Sequence, residues 1–167
     1  MTATLSGATS LEQALGTVGE AMTPEVVTLE VGTQADVALR RLERARVSGA
    51  PVVDGGRVAG VVTVRDLLAP VLHDDGIQLT GPFHRHEHRL TTYRVRDLMT
   101  AEPVSAGPDW SLARAVAAMD QLGINRLPVV DPAGRPAGIL TRDDVLRAVA
   151  RRIHLTLPGH GSRIEPD

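Results

Sequence analysis

The sequence predicts an α/β (α+β) protein built from two β-α-β-β-α repeats packed about a pseudo-two-fold axis, and three observations carry that expectation. First, the chain repeats itself: Val18 falls on Val95, Met22-Thr23 on Met99-Thr100, Glu25 on Glu102, Val27 on Val104, and "PVVD" at 51–54 on "PVVD" at 128–131, always 77 residues apart. After the aspartates the offset becomes 78, so that Arg57, Gly60, Thr63, Asp66, Leu68 and Val71 fall on Arg135, Gly138, Thr141, Asp144, Leu146 and Val149. The extra residue lies in a turn, where insertion costs least. Second, each repeat carries apolar residues at helical spacing. Third, each carries two strand-like runs around a tight turn.

The elements follow in order. A short helix stands ahead of each copy, in "VGEAM" and "RVRDLM". Short strand-like runs come next, "VVTL" and "PVS". Amphipathic helices are predicted over Thr33–Val47, with apolar positions Val37, Leu39, Leu42 and Val47, and over Ser111–Ile124, with Leu112, Val116, Met119 and Leu122. "PVVDGGRVAGVVT" reads as a hairpin around an Asp-Gly turn, and "LPVVDPAGRPAGILT" as the same hairpin with a longer loop. Closing helices follow in "VRDLLAPVL" and "RDDVLRAVARRI". The expected organisation is a tail at 1–17, a first copy at 18–72, a His-rich linker at 73–93, a second copy at 94–153 and a tail at 154–167. A three-stranded sheet with two helices on one face leaves apolar area uncovered, so the copies are expected to pack on each other.

Composition narrows the function. With 167 residues and 43% hydrophobic content, the chain can bury one respectable core or two small ones sharing an interface. A net charge of −2, with basic residues spread along the chain, predicts no nucleic-acid groove and no attachment to an anionic membrane. No apolar run approaches the roughly 20 residues of a membrane span, and "MTATLSGATSLEQ" has no signal-peptide pattern. The absence of cysteine excludes disulfides and thiolate metal sites. The expectation is a soluble, cytoplasmic protein.

The order of elements, with "MT" before the first strand, "PVVD" at the second and Gly-Ile-x-Thr-x-x-Asp at the third, resembles the cystathionine-β-synthase (CBS) domain. Two in tandem resemble a Bateman module. The resemblance covers residues 18–72 and 94–153. It implies a stand-alone regulatory module, not an enzyme, that needs no cofactor, binds an adenosine-containing ligand (AMP, ADP or ATP, sometimes S-adenosylmethionine or an NAD-like molecule) in clefts between the copies, and signals to a regulated protein. It also implies a disc-shaped homodimer, for which Leu67, Leu68, Val71, Val145 and Val149 offer apolar faces.

Thr-x-x-Asp at a strand-to-helix junction, present as Thr63/Asp66 and Thr141/Asp144, has two readings. It is a helix-capping pattern, contributing about 1 kcal/mol with no ligand. In the resembled family it is a ligand site, with the carboxylate on the ribose hydroxyls and the threonine facing a phosphate. Asn125 and Arg126 precede the second "PVVD", whereas Ser48 and Gly49 precede the first, so the clefts are expected to differ. The family's arrangement implies a stronger cleft made of Thr141, Asp144, Asn125 and Arg126 with Val27 and the backbone of Val47, Ser48, Gly49 and Ala50. Its partner would use Thr63 and Asp66 with Val104.

Aromatic residues are 2% of the chain, so an adenine slot would be aliphatic, with Val27, Ile124 and Leu140 as candidates for slot or core. Arg65 and Arg142 read as phosphate ligands or as solvated first-turn residues. Trp110 reads as a packing anchor. His84, His86 and His88 alternate, which puts neighbours about 7 Å apart and the outer pair about 13 Å apart in an extended strand. That leaves an incomplete metal site, and the segment reads as a polar connector with no metal. A competing reading is a dimerisation or interaction module whose ligand clefts are vestigial. An enzyme is disfavoured, since the chain has no Gly-x-Ser-x-Gly, His-Glu-x-x-His or P-loop pattern.

Overall fold

The protein is described from a computed structural model over residues 15–72 and 90–156. In chain order the elements are α1 (Val18–Ala21), β1 (Thr23–Pro24), β2 (Leu29–Glu30), α2 (Ala35–Ala45), β3 (Gly49–Asp54), β4 (Arg57–Thr63) and α3 (Val64–Leu72). They continue with α4 (Val95–Leu98), β5 (Thr100–Ala101), α5 (Leu112–Leu122), β6 (Arg126–Val130), β7 (Pro136–Thr141) and α6 (Arg142–Thr156). The strands form two sheets, ordered β2-β3-β4-β5 and β1-β7-β6, so the mixed α/β class and its duplication agree with the sequence. The linker histidines lie outside the described residues.

Each sheet is built on one hairpin. β3 and β4 pair from Gly49↔Thr63 to Asp54↔Arg57 and turn through Gly55 and Gly56, both at positive φ (54° and 80°), as a two-residue turn of this hand requires. The longer loop between β6 and β7 is organised by Asp131, whose Oδ1 accepts from the N–H of Ala133 and of Arg135, each at 2.9 Å, and whose Oδ2 accepts from Arg135 Nε at 2.8 Å. Both ladders slip at equivalent places, Val52/Val53 and Val129/Val130. β2 runs parallel to β3, but the second half replaces the "PVS" strand with a single bridge, Ala106↔Val129. Pro103 brings no N–H to a ladder, and Gly107-Pro108 ends the run just past the bridge.

The first segment of each repeat crosses to the other repeat. β1 pairs with β7 (Thr23↔Ile139) and β5 with β4 (Val61↔Thr100). Val18 N donates to Trp110 O at 2.9 Å, and its counterpart Val95 N donates to Thr33 O at 2.8 Å. Val18, fully buried, belongs to the core of Leu112, Met119, Leu127 and Leu140, whereas Val95 belongs to that of Leu29, Leu42, Val62 and Leu67. The halves of the molecule are therefore not the copies as the sequence delimits them. Gly60 and Gly138 permit this crossing: a Cβ on Gly138 would sit 2.7 Å from Thr23 O, and one on Gly60 would sit 2.9 Å from Thr100 O.

The long helices lie within their expected spans. α5 starts at Ser111, whose Oγ accepts from Arg114 N at 3.2 Å, and stops at Gly123 in the left-handed conformation. α2 stops the same way at Arg46 (φ 55°), where a side chain resists that conformation. Trp110 packs against the second core, with the Arg114 guanidinium 3.6 Å above its ring. Leu67, expected on an outer face, is fully buried, because α3 turns that position onto the first core.

Candidate functional site

Thr63 is the last residue of β4 and Asp66 the third of α3; Thr141 and Asp144 hold the same places in β7 and α6. The strand-to-helix turn lets the two side chains face each other. Thr63 N and Oγ1 donate to Asp66 Oδ2 at 2.8 and 2.7 Å, and Asp66 N donates back to Thr63 Oγ1 at 3.2 Å. Thr141 N and Oγ1 donate to Asp144 Oδ2 at 2.8 and 2.6 Å, and Asp144 N donates to Thr141 Oγ1 at 3.3 Å. The cap is formed in both copies, and it consumes one carboxylate oxygen in each.

The other oxygen distinguishes them. Asp144 Oδ1 accepts from Arg147 Nη2 at 2.6 Å and from Thr23 Oγ1 at 3.4 Å. No described residue donates to Asp66 Oδ1. Burial pushes the Asp144 carboxyl up, but the hydrogen bonds from Thr141 and Arg147 outweigh it and hold the group below its ordinary value.

Each carboxylate opens on a cleft between the two copies. The first, about 490 Å³, brings Thr63 and Asp66 together with Val104, Ile124, Asn125 and Arg126, with Glu102 beside them. The second, about 450 Å³, brings Thr141 and Asp144 together with Val27, Val47, Ser48, Gly49 and Arg126, joined by Glu25, Arg46 and Arg147. Both volumes suit a small organic ligand. The polar lining differs in charge: Asp66 and Glu102 face one arginine in the first cleft, and Glu25, Asp143 and Asp144 face Arg46, Arg126 and Arg147 in the second.

Several expected placements change. Asn125 lines the Thr63/Asp66 cleft and not the Thr141/Asp144 cleft, just as its counterpart Ser48 lines the Thr141/Asp144 cleft: each faces the Thr-x-x-Asp pair of the other repeat. Arg126 lines both clefts, with Nη2 donating to Ser48 Oγ at 3.1 Å. Burial draws its guanidinium below the ordinary value and the nearby Asp66 charge opposes this; it stays a cation. Ala50 and Leu140 are core residues and line neither cleft. Arg65 is exposed away from both, and Arg142 lies in a separate groove between α5 and α6.

Glu25, Glu102, Arg46 and Arg147 were not singled out by the sequence reading. Glu25 and Glu102 carry a sequence signal, their coincidence in the repeat, and the structure adds that both hold positive φ (51° and 48°), a conformation a glutamate adopts only under constraint. Arg147 has no such signal, since a basic residue on a surface helix is ordinary.

The model of the CBS domain matches residues 18–81 and 95–151. An uncharacterized protein of Methanocaldococcus jannaschii, MJ1426, is 28% identical over 152 residues, spanning 79% of this chain and 90% of its own. The chloroplastic CBS domain-containing protein CBSX2 of Arabidopsis thaliana is 34% identical over 149 residues, 79% of this chain and 63% of its own. A crystal structure of CBSX2 in complex with AMP superposes with a TM-score of 0.66 at 34% identity, covering 81% of this chain and 97% of that one. With two family segments in one chain and a tandem-repeat fold to match, the protein belongs to the CBS-domain family as a CBS pair.

Proposed function

We propose that this CBS pair binds adenosine-containing small molecules in its two clefts and passes the state of occupancy to a partner protein. The observation that carries the reading is the pairing of a Thr-x-x-Asp carboxylate with an aliphatic wall in each cleft: Val104 and Ile124 beside Asp66, and Val27 and Val47 beside Asp144. The AMP complex of CBSX2, a relative at 34% identity, supports the choice of ligand class. The reading assigns no reaction to either cleft. Thermal-shift measurements with AMP, ADP, ATP, S-adenosylmethionine and NAD test it: a ligand at 100 times its dissociation constant adds about 2.7 kcal/mol of stability. A melting temperature indifferent to all five would overturn the reading, and turnover of any of them by pure protein would overturn the non-enzymatic part.

One observation favours a second reading, an interaction module with vestigial clefts: Asp144 is satisfied at both oxygens by protein groups. In either reading we place a homodimer contact on the groove between α5 and α6, where Val116, Met119, Val145 and Leu146 line a cavity of about 250 Å³ and Leu146 is 65% exposed. A light-scattering mass near the 17.8 kDa monomer at micromolar concentration would exclude it.

A further inference from the structure

An aspartate carboxylate offers about four acceptor positions, two on each oxygen. At Asp144 all four are taken: Thr141 N and Oγ1 on Oδ2, Arg147 Nη2 and Thr23 Oγ1 on Oδ1. At Asp66 the equivalent threonine takes two, and no described residue donates to Oδ1. A vicinal diol has two hydroxyls to donate. Asp66 can receive it without giving anything up, whereas Asp144 must first release Arg147.

The two partners of that ion pair are unlike in exposure. The Asp144 side chain is 5% exposed and that of Arg147 63%. The arginine therefore covers the carboxylate from the solvent side and can swing away, while the carboxylate cannot follow. Under the 78-residue register the counterpart of Arg147 is Ala69, so among the described residues the first cleft has no such cover. Arg147 lines the same cleft as Arg46 and Arg126, the two other cations there.

We propose that Arg147 makes the Thr141/Asp144 cleft selective for phosphate-bearing nucleotides, and that the Thr63/Asp66 cleft, without this arginine, also accepts the uncharged nucleoside. A nucleoside entering the second cleft offers hydroxyls to Asp144 but leaves Arg147 without its carboxylate, exchanging a hydrogen-bonded ion pair for hydrogen bonds from uncharged hydroxyls. A nucleotide supplies both halves of the exchange: its ribose takes the place of Arg147 on Asp144, and its phosphate receives the released guanidinium. The selectivity is a difference of affinities set by one side chain that repels the wrong ligand by holding its site. The inference rests on the ligand-binding reading above.

Titration calorimetry of the full chain with adenosine and with AMP tests it, using Asp66→Asn to silence the first cleft. Wild type is expected to bind adenosine at one site per chain and AMP at two. Asp66→Asn is expected to keep one AMP site and lose adenosine binding. Adding Arg147→Ala should restore adenosine binding in the second cleft and weaken AMP there, moving the AMP-to-adenosine preference by roughly ten- to hundredfold, the worth of one charged hydrogen bond. Arg147→Gln, which keeps the stem and a donor, serves if the alanine variant does not fold, and should shift the preference in the same direction. An unchanged preference in both variants, or tight adenosine binding to Asp66→Asn alone, refutes the role of Arg147 and leaves the binding reading intact. No heat from either ligand with wild type removes the binding reading and this inference with it.

Discussion

The guanidinium of Arg126 fills the space beside Gly49, its own counterpart 77 residues earlier in the repeat: a Cβ on Gly49 would collide with Nη1, and Nη2 donates to Ser48 Oγ at 3.1 Å. A glycine on one side of the pseudo-two-fold axis thus makes room for an arginine from the other, and one cation reaches both clefts. Arg126→Ala is therefore expected to weaken AMP binding in both clefts, each by roughly tenfold, and to leave adenosine binding nearly unchanged. Two-site calorimetry decides this; a loss confined to one cleft would contradict the sharing.

Gly49→Ala should be costly for the same reason. Its Cβ would meet Arg126 and lie 2.7 Å from Val62 O, which is ladder backbone and cannot yield easily. A loss of about 1–3 kcal/mol is expected in urea denaturation. Combined with Arg126→Ala, the two losses should sum to less than additivity gives by about 0.5 kcal/mol or more, since the arginine is one of two obstacles. Strict additivity would mean the side chains do not touch.

Arg46 and Gly123 end equivalent helices in the same left-handed conformation, and the strain falls on the arginine. Arg46→Gly is expected to raise stability by about 1 kcal/mol. It also removes a cation from the Asp144 cleft, so AMP should bind that cleft more weakly even as the protein melts later. A variant no more stable than wild type would show that Arg46 gains from contacts what its backbone loses.

Val18→Ala probes the crossing of the two repeats. Deleting two fully buried methyl groups should cost about 2 kcal/mol. The loosening should appear around Leu112, Met119 and Leu127, whose core Val18 completes, and not around Leu29 and Leu42 of its own repeat. Hydrogen exchange resolved by residue separates the cases. Val95→Ala should give the mirror pattern.

That crossing also marks where the sequence stops being legible. The repeat, the two hairpins and the spans of both long helices were readable because turn residues and apolar spacing are local signals, but the buried faces were not fully so: Val37, Val47, Val116 and Leu122 are exposed, and the smaller Ala35, Ala38 and Ala115 are buried in their stead. The exchange of α1 and α4 was not, because backbone bonds such as Val18 N to Trp110 O and Val95 N to Thr33 O leave no mark on residue type. Thr63, Asp66, Thr141 and Asp144 could be picked out by spacing, but the cleft that Asn125 lines, that of the other repeat's Thr63 and Asp66, depends on how the two copies pack. The second partner of Asp144, Arg147, looks like any solvated helix residue until the carboxylate beside it is seen to be buried.

Asp144→Asn and Asp66→Asn should differ in stability, although sequence makes them equivalent. An asparagine must place its NH₂ where one carboxylate oxygen was. At position 66 the amide can face the Oδ1 side, where no described residue donates, so only the charge is lost and the cost should be about 1 kcal/mol. At position 144 both sides are met by donors, Thr141 on one and Arg147 with Thr23 on the other, so the amide opposes an N–H or O–H whichever way it turns. The cost there should reach about 1.5–3 kcal/mol. Acid should erase this difference. The folded-state pKa of Asp144 lies below its ordinary value, so its contribution is complete above about pH 4, the unfolded value, and fades as pH falls through the lower folded value. Denaturation curves for wild type and Asp144→Asn at pH 7 should therefore be well separated and should converge below about pH 4. A gap that persists undiminished at the lowest pH where the protein still folds would mean that the asparagine acts through lost packing and not through the charge of Asp144.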